Sequence, residues 1–163
     1  MAINFPEGTQ DYPSIIIQCV TTNYYMNNEV QIAPNSYYSY NTVSITPKSS
    51  NSRLFFMSIP LMFSRSSDRN SNNYSNTDMF IQDVTNNTHT KCITWLNYAD
   101  DQTGTNNSAT DGYRVQYPVF AEFSNTVTTQ RQFRTRAYSN NNNVKGRVGG
   151  DFRMHQMIWE MDN

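Results

Sequence analysis

The feature that most constrains this chain is a rhythm of short β-forming runs. Ile15 to Thr22, Tyr37 to Thr46, Arg53 to Ser64, Met79 to Val84, Lys91 to Tyr98, Arg114 to Phe123, Arg131 to Tyr138 and Phe152 to Met161 are each rich in β-branched or aromatic residues. Asn, Ser, Thr, Gly or Pro closes most of them, and no helical period runs between them. Val30 to Ile32 adds a short edge candidate. This pattern predicts an all-β fold: an antiparallel β-sandwich, jelly-roll-like, of about eight strands with long polar loops.

The connections support that reading. Arg65 to Asp78, Ala99 to Gly112 and the stretch from Asn140 through KGRVGGD are long and polar, while PKSSNS, TNNTHT and SNTVTTQ are short turns. The opening INFPEGTQDYPS holds Pro6, Gly8 and Pro13, so it cannot be a helix. It reads as an extended arm over residues 1–14, leaving residues 15–163 as a single sandwich domain. Asn, Ser and Thr make up about a third of the 163 residues and charged residues only 15%, yet aromatics reach 13%. Disordered chains lack aromatics and carry high net charge, so this composition belongs to a folded sheet protein.

Charge and hydropathy exclude several classes. A net charge of -1 gives no global pull toward nucleic acid or an anionic membrane. No apolar run approaches the ~20 residues of a membrane helix. Met1-Ala2-Ile3-Asn4 lacks the basic start of a secretory signal, so synthesis in a cytoplasm is expected. Cys19 and Cys92 fall inside strands and read as free, small buried hydrophobes.

Strand alternation assigns faces. Along Arg131 to Tyr138, Phe133, Thr135 and Ala137 point inward, and Gln132, Arg134, Arg136 and Tyr138 outward. Val115, Tyr117, Val119, Ala121 and Phe123 form another inner row. In the last strand His155, Met157, Trp159 and Met161 read as the buried row. Leu54 to Phe63 is apolar on both faces. Phe55, Met57, Ile59, Leu61 and Phe63 are expected to fill the core. Leu54, Phe56 and Met62 are then left to meet a loop or a second subunit.

Enzyme motifs are nearly absent. There is no phosphate-cradling Gly-rich loop and no nucleophile elbow. His89 and Cys92 (HTKC) offer at most two metal ligands where zinc needs three or four, so no metal or cofactor is expected. Asp100, Asp101, Asp111 and Glu122 are the only carboxylates placed for glycoside hydrolysis, and loop aspartates beside Gly and Asn usually build turns. The Asp-rich loop lacks the residue order of a calcium-binding EF-hand. Arg134, Arg136 and Tyr138, with Tyr74, form an arginine and aromatic set suited to acidic sugars or phosphate. A solvated strand face is the plainer alternative.

INFPEGTQDYPSIIIQCV, VSITPKSSNSRLFF, Tyr113-Arg114-Val115-Gln116 and the terminal MHQMIWEMDN resemble a family of small structural proteins and tail-fibre tip, receptor-binding domains of tailed phages, especially marine cyanophages. Relatives carry a Gly-rich region and an Arg-rich strand where this chain has MFIQDVTNN. The resemblance implies a non-enzymatic virion structural protein, made in the host cytoplasm, on a tail fibre or tip or decorating a capsid. It further implies a homotrimer, attachment to other virion proteins through the N-terminal arm, and contact with a host surface glycan or receptor. Leu54, Phe56 and Met62 are the expected subunit contacts. A carbohydrate-binding module or lectin, and a small glycan-degrading enzyme, remain the alternatives.

Overall fold

A computed structural model describes residues 16–26, 29–33, 35–65, 75–97, 112–139, 146–149 and 152–162. The arm over residues 1–14 lies outside the described residues. The strands are β1 (Ile16–Met26), β2 (Glu29–Ile32), β3 (Ser36–Ile45), β4 (Ser52–Ser58), β5 (Leu61–Arg65), β6 (Ser75–Asp83), β7 (Thr88–Asn97), β8 (Gly112–Gln116), β9 (Val119–Asn125), β10 (Arg131–Ser139), β11 (Gly146–Gly149) and β12 (Phe152–Asp162). They form three four-stranded antiparallel sheets, ordered β1-β12-β4-β9, β3-β10-β6-β7 and β2-β11-β5-β8.

The first and third sheets are one layer, interrupted at one level. β2 follows β1, β11 precedes β12, β5 follows β4 and β8 precedes β9, in the same lateral order. In the two outer pairs the register runs straight across the gap: Met26 pairs with Phe152 and Glu29 with Gly149, while Ser58 pairs with Val119 and Leu61 with Gln116. In the middle pair it shifts, from Gln156 opposite Ser58 to Val148 opposite Met62. Two of the interruptions carry Pro60 and Pro118, which have no N–H to give a ladder. The expected single strand from Arg53 to Ser64 is therefore split at Pro60, and both halves lie inside their sheets. Counted through the gap, the described residues make eight long strands, four per layer. In chain order they run 1-8-3-6 in one layer and 2-7-4-5 in the other, the wrapping of a jelly roll.

Face assignment in β10 and β9 agrees with the alternation: Phe133, Thr135, Ala137, Val119 and Ala121 are buried. Tyr117 is the exception, exposed at the gap before Pro118. The expectation for β4 and β12 is reversed. Leu54 and Phe56, expected at a subunit contact, are 0% exposed within the single chain. Phe56 meets Phe133 of the other layer at 6.2 Å between ring centroids. Phe55, Met57, Ile59, Met157, Trp159 and Met161 are only half-buried, and His155 is exposed. The core takes Met154, Gln156, Ile158 and Glu160 instead. Both strands carry apolar residues on both faces, and patterning favoured the row with the larger aromatics; the polar contacts of Glu160 decide for the other.

The Glu160 carboxylate is buried and accepts from Gln18 Nε2 at 2.6 Å, Ser52 Oγ at 2.9 Å and the backbone N–H groups of Lys48 and Ser49 at 2.9 Å each. These fasten the turn between β3 and β4 onto β12 and β1. Asn125 Nδ2 donates to Ser49 O at 2.6 Å and Ser52 Oγ at 3.2 Å, and Asn125 Oδ1 accepts from Arg131 at 3.3 Å. Arg131 also pairs with Asp83 in a buried salt bridge, and Asp83 accepts from the side chain of Asn86 at 2.7 Å. One polar chain thus crosses the end of the sandwich, from β1 through the first layer to β10, β6 and the β6–β7 turn.

Burial pushes the Glu160 pKa up, but the Lys48, Ser49, Gln18 and Ser52 hydrogen bonds outweigh it and hold the group below its ordinary value. A lowered folded pKa contributes stability above the unfolded glutamate value of about 4.3, lost as pH falls through the folded value. Glu160→Gln is expected to lose about 2–4 kcal/mol at neutral pH, because charge-assisted bonds go and donors stay buried. Denaturant unfolding between neutral pH and pH ~3 checks this: the wild type should lose stability over the acid side of that window and the variant should lose less.

Candidate functional site

The outward row of β10 carries Arg134 and Arg136 two residues apart, roughly 7 Å along the strand. β10 is an interior strand, between β3 and β6, so these side chains stand over the middle of a rigid sheet. What surrounds them depends on two register shifts. β3 slips by one residue against β10: Thr42 lies opposite Arg134, but Ser39 lies opposite Arg136 and Tyr37 opposite Tyr138. Because side chains alternate, that slip turns Tyr37 and Ser39 outward and sends Tyr38 and Tyr40 toward the core. β6 and β7 slip likewise between Met79 and Phe80, so that Phe80 faces Lys91 and Gln82 faces His89.

The result is a cluster built from four strands. Arg136 lies over the Tyr37 ring at 3.9 Å, its Nε donates to Ser39 Oγ at 3.1 Å, and its Nη1 stands 3.4 Å from His89 Nε2. Tyr37, itself 44% exposed, packs against Tyr138 at 4.5 Å and edge-on to Phe80 at 5.9 Å and His89 at 6.2 Å. Arg134 Nε donates to Gln82 Oε1 at 2.7 Å. Each guanidinium is thus braced through Nε by a neighbour, which leaves the terminal N–H groups of Arg134 and Nη2 of Arg136 without a protein acceptor among the described residues. Those atoms make the planar fork that suits carboxylate, sulfate or phosphate oxygens.

Electrostatics point the same way. Among the described residues neither arginine has a carboxylate within 4 Å; the nearby Lys91 is matched by Asp78 at 2.9 Å. Burial, then Arg136, then Arg134, push the His89 pKa below its ordinary value, so the imidazole is neutral at pH 7. Burial and the like charge of Arg134 also lower Arg136, against a smaller opposing effect of Tyr37. Mutual repulsion that the protein leaves uncompensated is the mark of a place where an anion lowers the energy.

Alternation along one strand placed Arg134, Arg136 and Tyr138 together, and the structure does so too. Tyr37, Phe80 and His89 were not expected there, since strand pairing and its slips have no local signal. Tyr74 lies outside the described residues, as does the side chain of Met62. His89 and Cys92 do not converge: Cys92 Sγ donates to Phe120 O at 3.4 Å, away from the arginine face. Both cysteines are free, and Cys19 is exposed rather than buried. Of the four candidate carboxylates, Glu122 is an exposed partner of Arg53 at 3.3 Å, and Asp100, Asp101 and Asp111 lie outside the described residues.

No family model and no curated protein matches the chain. Among solved structures it is similar to the crystal structure of dimeric latent PorU from Porphyromonas gingivalis, with a TM-score of 0.52 and 10% identity, over 95% of this chain and 14% of that one. Infectious bursal disease virus Gx strain gives a TM-score of 0.38 at 10% identity, over 99% of this chain and 40% of that one. The chain therefore spans a small part of the first and under half of the second. Identity this low speaks only to the β-sandwich fold, and the second similarity is too slight to bear on it.

The geometry makes a direct prediction. Arg136→Gln is expected to raise the His89 pKa part of the way back to its ordinary value, with burial and Arg134 holding the remainder. An NMR titration of the two histidine rings reads this, with His155, on the other layer, as the internal control; an unmoved His89 would mean the two side chains are not in contact.

Proposed function

We propose that this chain is a surface-exposed structural subunit of a tailed-phage virion, in a tail fibre, tip or capsid decoration, and that its β10 face adheres to acidic glycan on a host surface. Catalysis is no part of this reading. The placement in a virion is supported by the sequence resemblance and by a jelly-roll sandwich, an architecture that viral coat and lectin domains share. Fold alone does not assign function, so adhesion is carried by one observation: Arg134 and Arg136, braced on a rigid strand, beside exposed Tyr37 and without a carboxylate partner among the described residues. The arginines would engage sulfate or uronate groups while Tyr37 and Tyr138 contact ring faces. A lectin outside any virion would use the same face, so glycan binding and particle location are tested separately.

Binding to a sulfated polysaccharide such as dextran sulfate is expected to weaken at least tenfold in an Arg134→Ala, Arg136→Ala double variant and to fall with salt. Affinity should rise as pH drops below the ordinary histidine range, because His89 gains charge beside the ligand, and His89→Gln should lose that rise. Sulfate stays ionised throughout, so the change belongs to the protein. Unaltered affinity in the double variant would remove the face from consideration. For the virion assignment, mass spectrometry of purified particles is the measure, and absence of the chain from them would refute it.

A further inference from the structure

The outer face of the other layer has the opposite character. Phe120 is 58% exposed and Ile16 57%. Between them Phe55 stacks on Phe120 at 5.8 Å and meets Trp159 at 5.5 Å, with Met57 and Met157 alongside in register. These residues cover one another only from the side, since they share one face of adjacent strands.

We infer that this face is where a second copy of the chain docks, sheet against sheet. Three observations favour a second copy over another occupant. First, charge: Arg53 and Glu122, at the margin, neutralise each other at 3.3 Å, and Arg153 lies toward the far end over Tyr25 at 6.0 Å. An identical copy laid on this face meets no uncompensated repulsion at its apolar centre, and a charged polymer finds little to hold there. Second, size: the outer face of four strands at ~4.8 Å by seven residues at ~3.3 Å projects onto roughly 400 Å², with the apolar residues at its centre and Thr21, Asn23, His155, Glu122 and Ser124 around them. Side-chain relief and the longer β1 and β12 raise the accessible area toward the ~800 Å² per partner of a standard interface. Third, the opposite outer face bears Arg134 and Arg136, whose like charges oppose self-association there and leave the apolar face as the surface two copies share.

A pleated sheet face packs on another much as the two inner faces of this sandwich already do, at ~10 Å and a small angle. The same patch on both copies makes the contact isologous, so the assembly is a two-fold dimer and not a trimer. Its basis differs from that of the expected trimer, since Leu54 and Phe56 are core residues. It also stands apart from glycan adhesion, because the dimer leaves both arginine faces in solvent.

The test is the mass of the full chain by size-exclusion chromatography with light scattering at micromolar concentration. Two protomers are expected. Phe120→Lys, at an exposed site where folding loses no core contact, should weaken the dimer by roughly thirtyfold or more. Circular dichroism melting of dilute protein should stay unchanged. Alkylation of Cys19, which lies exposed opposite Trp159 on the same face, should slow as concentration rises and stop doing so in the Phe120→Lys variant. A mass of one protomer, in which the face is left to another occupant, overturns the inference. So does a mass of three, or a dimer that Phe120→Lys leaves intact.

Discussion

The architecture depends on a buried polar chain at one end of the sandwich. Gln18, Glu160, Ser49, Ser52, Asn125, Arg131 and Asp83 hand hydrogen bonds from one layer to the other, and Glu160, Ser52, Asn125, Arg131 and Asp83 are all buried. Buried ionic groups add little net stability over apolar replacements, but leaving one unpaired costs several kcal/mol, on the order of 3–5. That asymmetry makes them arbiters between alternative packings. Turning β12 over would send Glu160 to the outer face and leave the Lys48 and Ser49 N–H groups without their acceptor. Because Glu160 pairs in register with Leu54, and Ile158 with Phe56, fixing one carboxylate fixes the inward row of both strands. The apolar outer face of Phe55, Trp159 and Phe120 follows from this choice.

This also explains what the sequence could and could not reveal. Fold class was legible because β-branched runs and polar turns repeat along the chain, and each run needs only local chemistry to be recognised. β10 was legible for a stricter reason: Phe133, Thr135 and Ala137 alternate with Gln132, Arg134, Arg136 and Tyr138, so only one face is apolar enough to bury. β4 and β12 offer two apolar faces, and there the deciding partners, Lys48 and Ser49, are over a hundred residues from Glu160. Hydrophobic patterning put Trp159 and Phe55 inside because large aromatics usually are. A single glutamate outweighed them.

The candidate site shows the same division. Two arginines and a tyrosine were readable from one strand. Tyr37 and His89 join them through one-residue slips in β3 and β7, and a slip exchanges the faces of every residue beyond it. Had β3 paired without its slip, Tyr38 and Tyr40 would face outward and Tyr37 would be lost to the cluster. Instead Tyr38 turns in and makes a hydrogen bond with Tyr24; burial first, and then that contact, push its pKa up to about 12. The bulge thus places one tyrosine on the surface and another where its hydroxyl must stay protonated.

A near-zero net charge and the proposed anion-binding face are compatible because electrostatics in salt is local. At physiological ionic strength the screening length is ~8 Å, comparable with the spacing of Arg134 and Arg136. Among the described residues the carboxylates that balance the formal charge do not reach these groups, whereas Asp78 quenches Lys91 because it sits 2.9 Å away. The net value of -1 therefore speaks to long-range attraction, which is weak, and not to what the face holds once in contact. A chain of this kind gains little steering toward an acidic surface. If it adheres, it does so through short-range contacts at Arg134 and Arg136, multiplied by the number of copies displayed together.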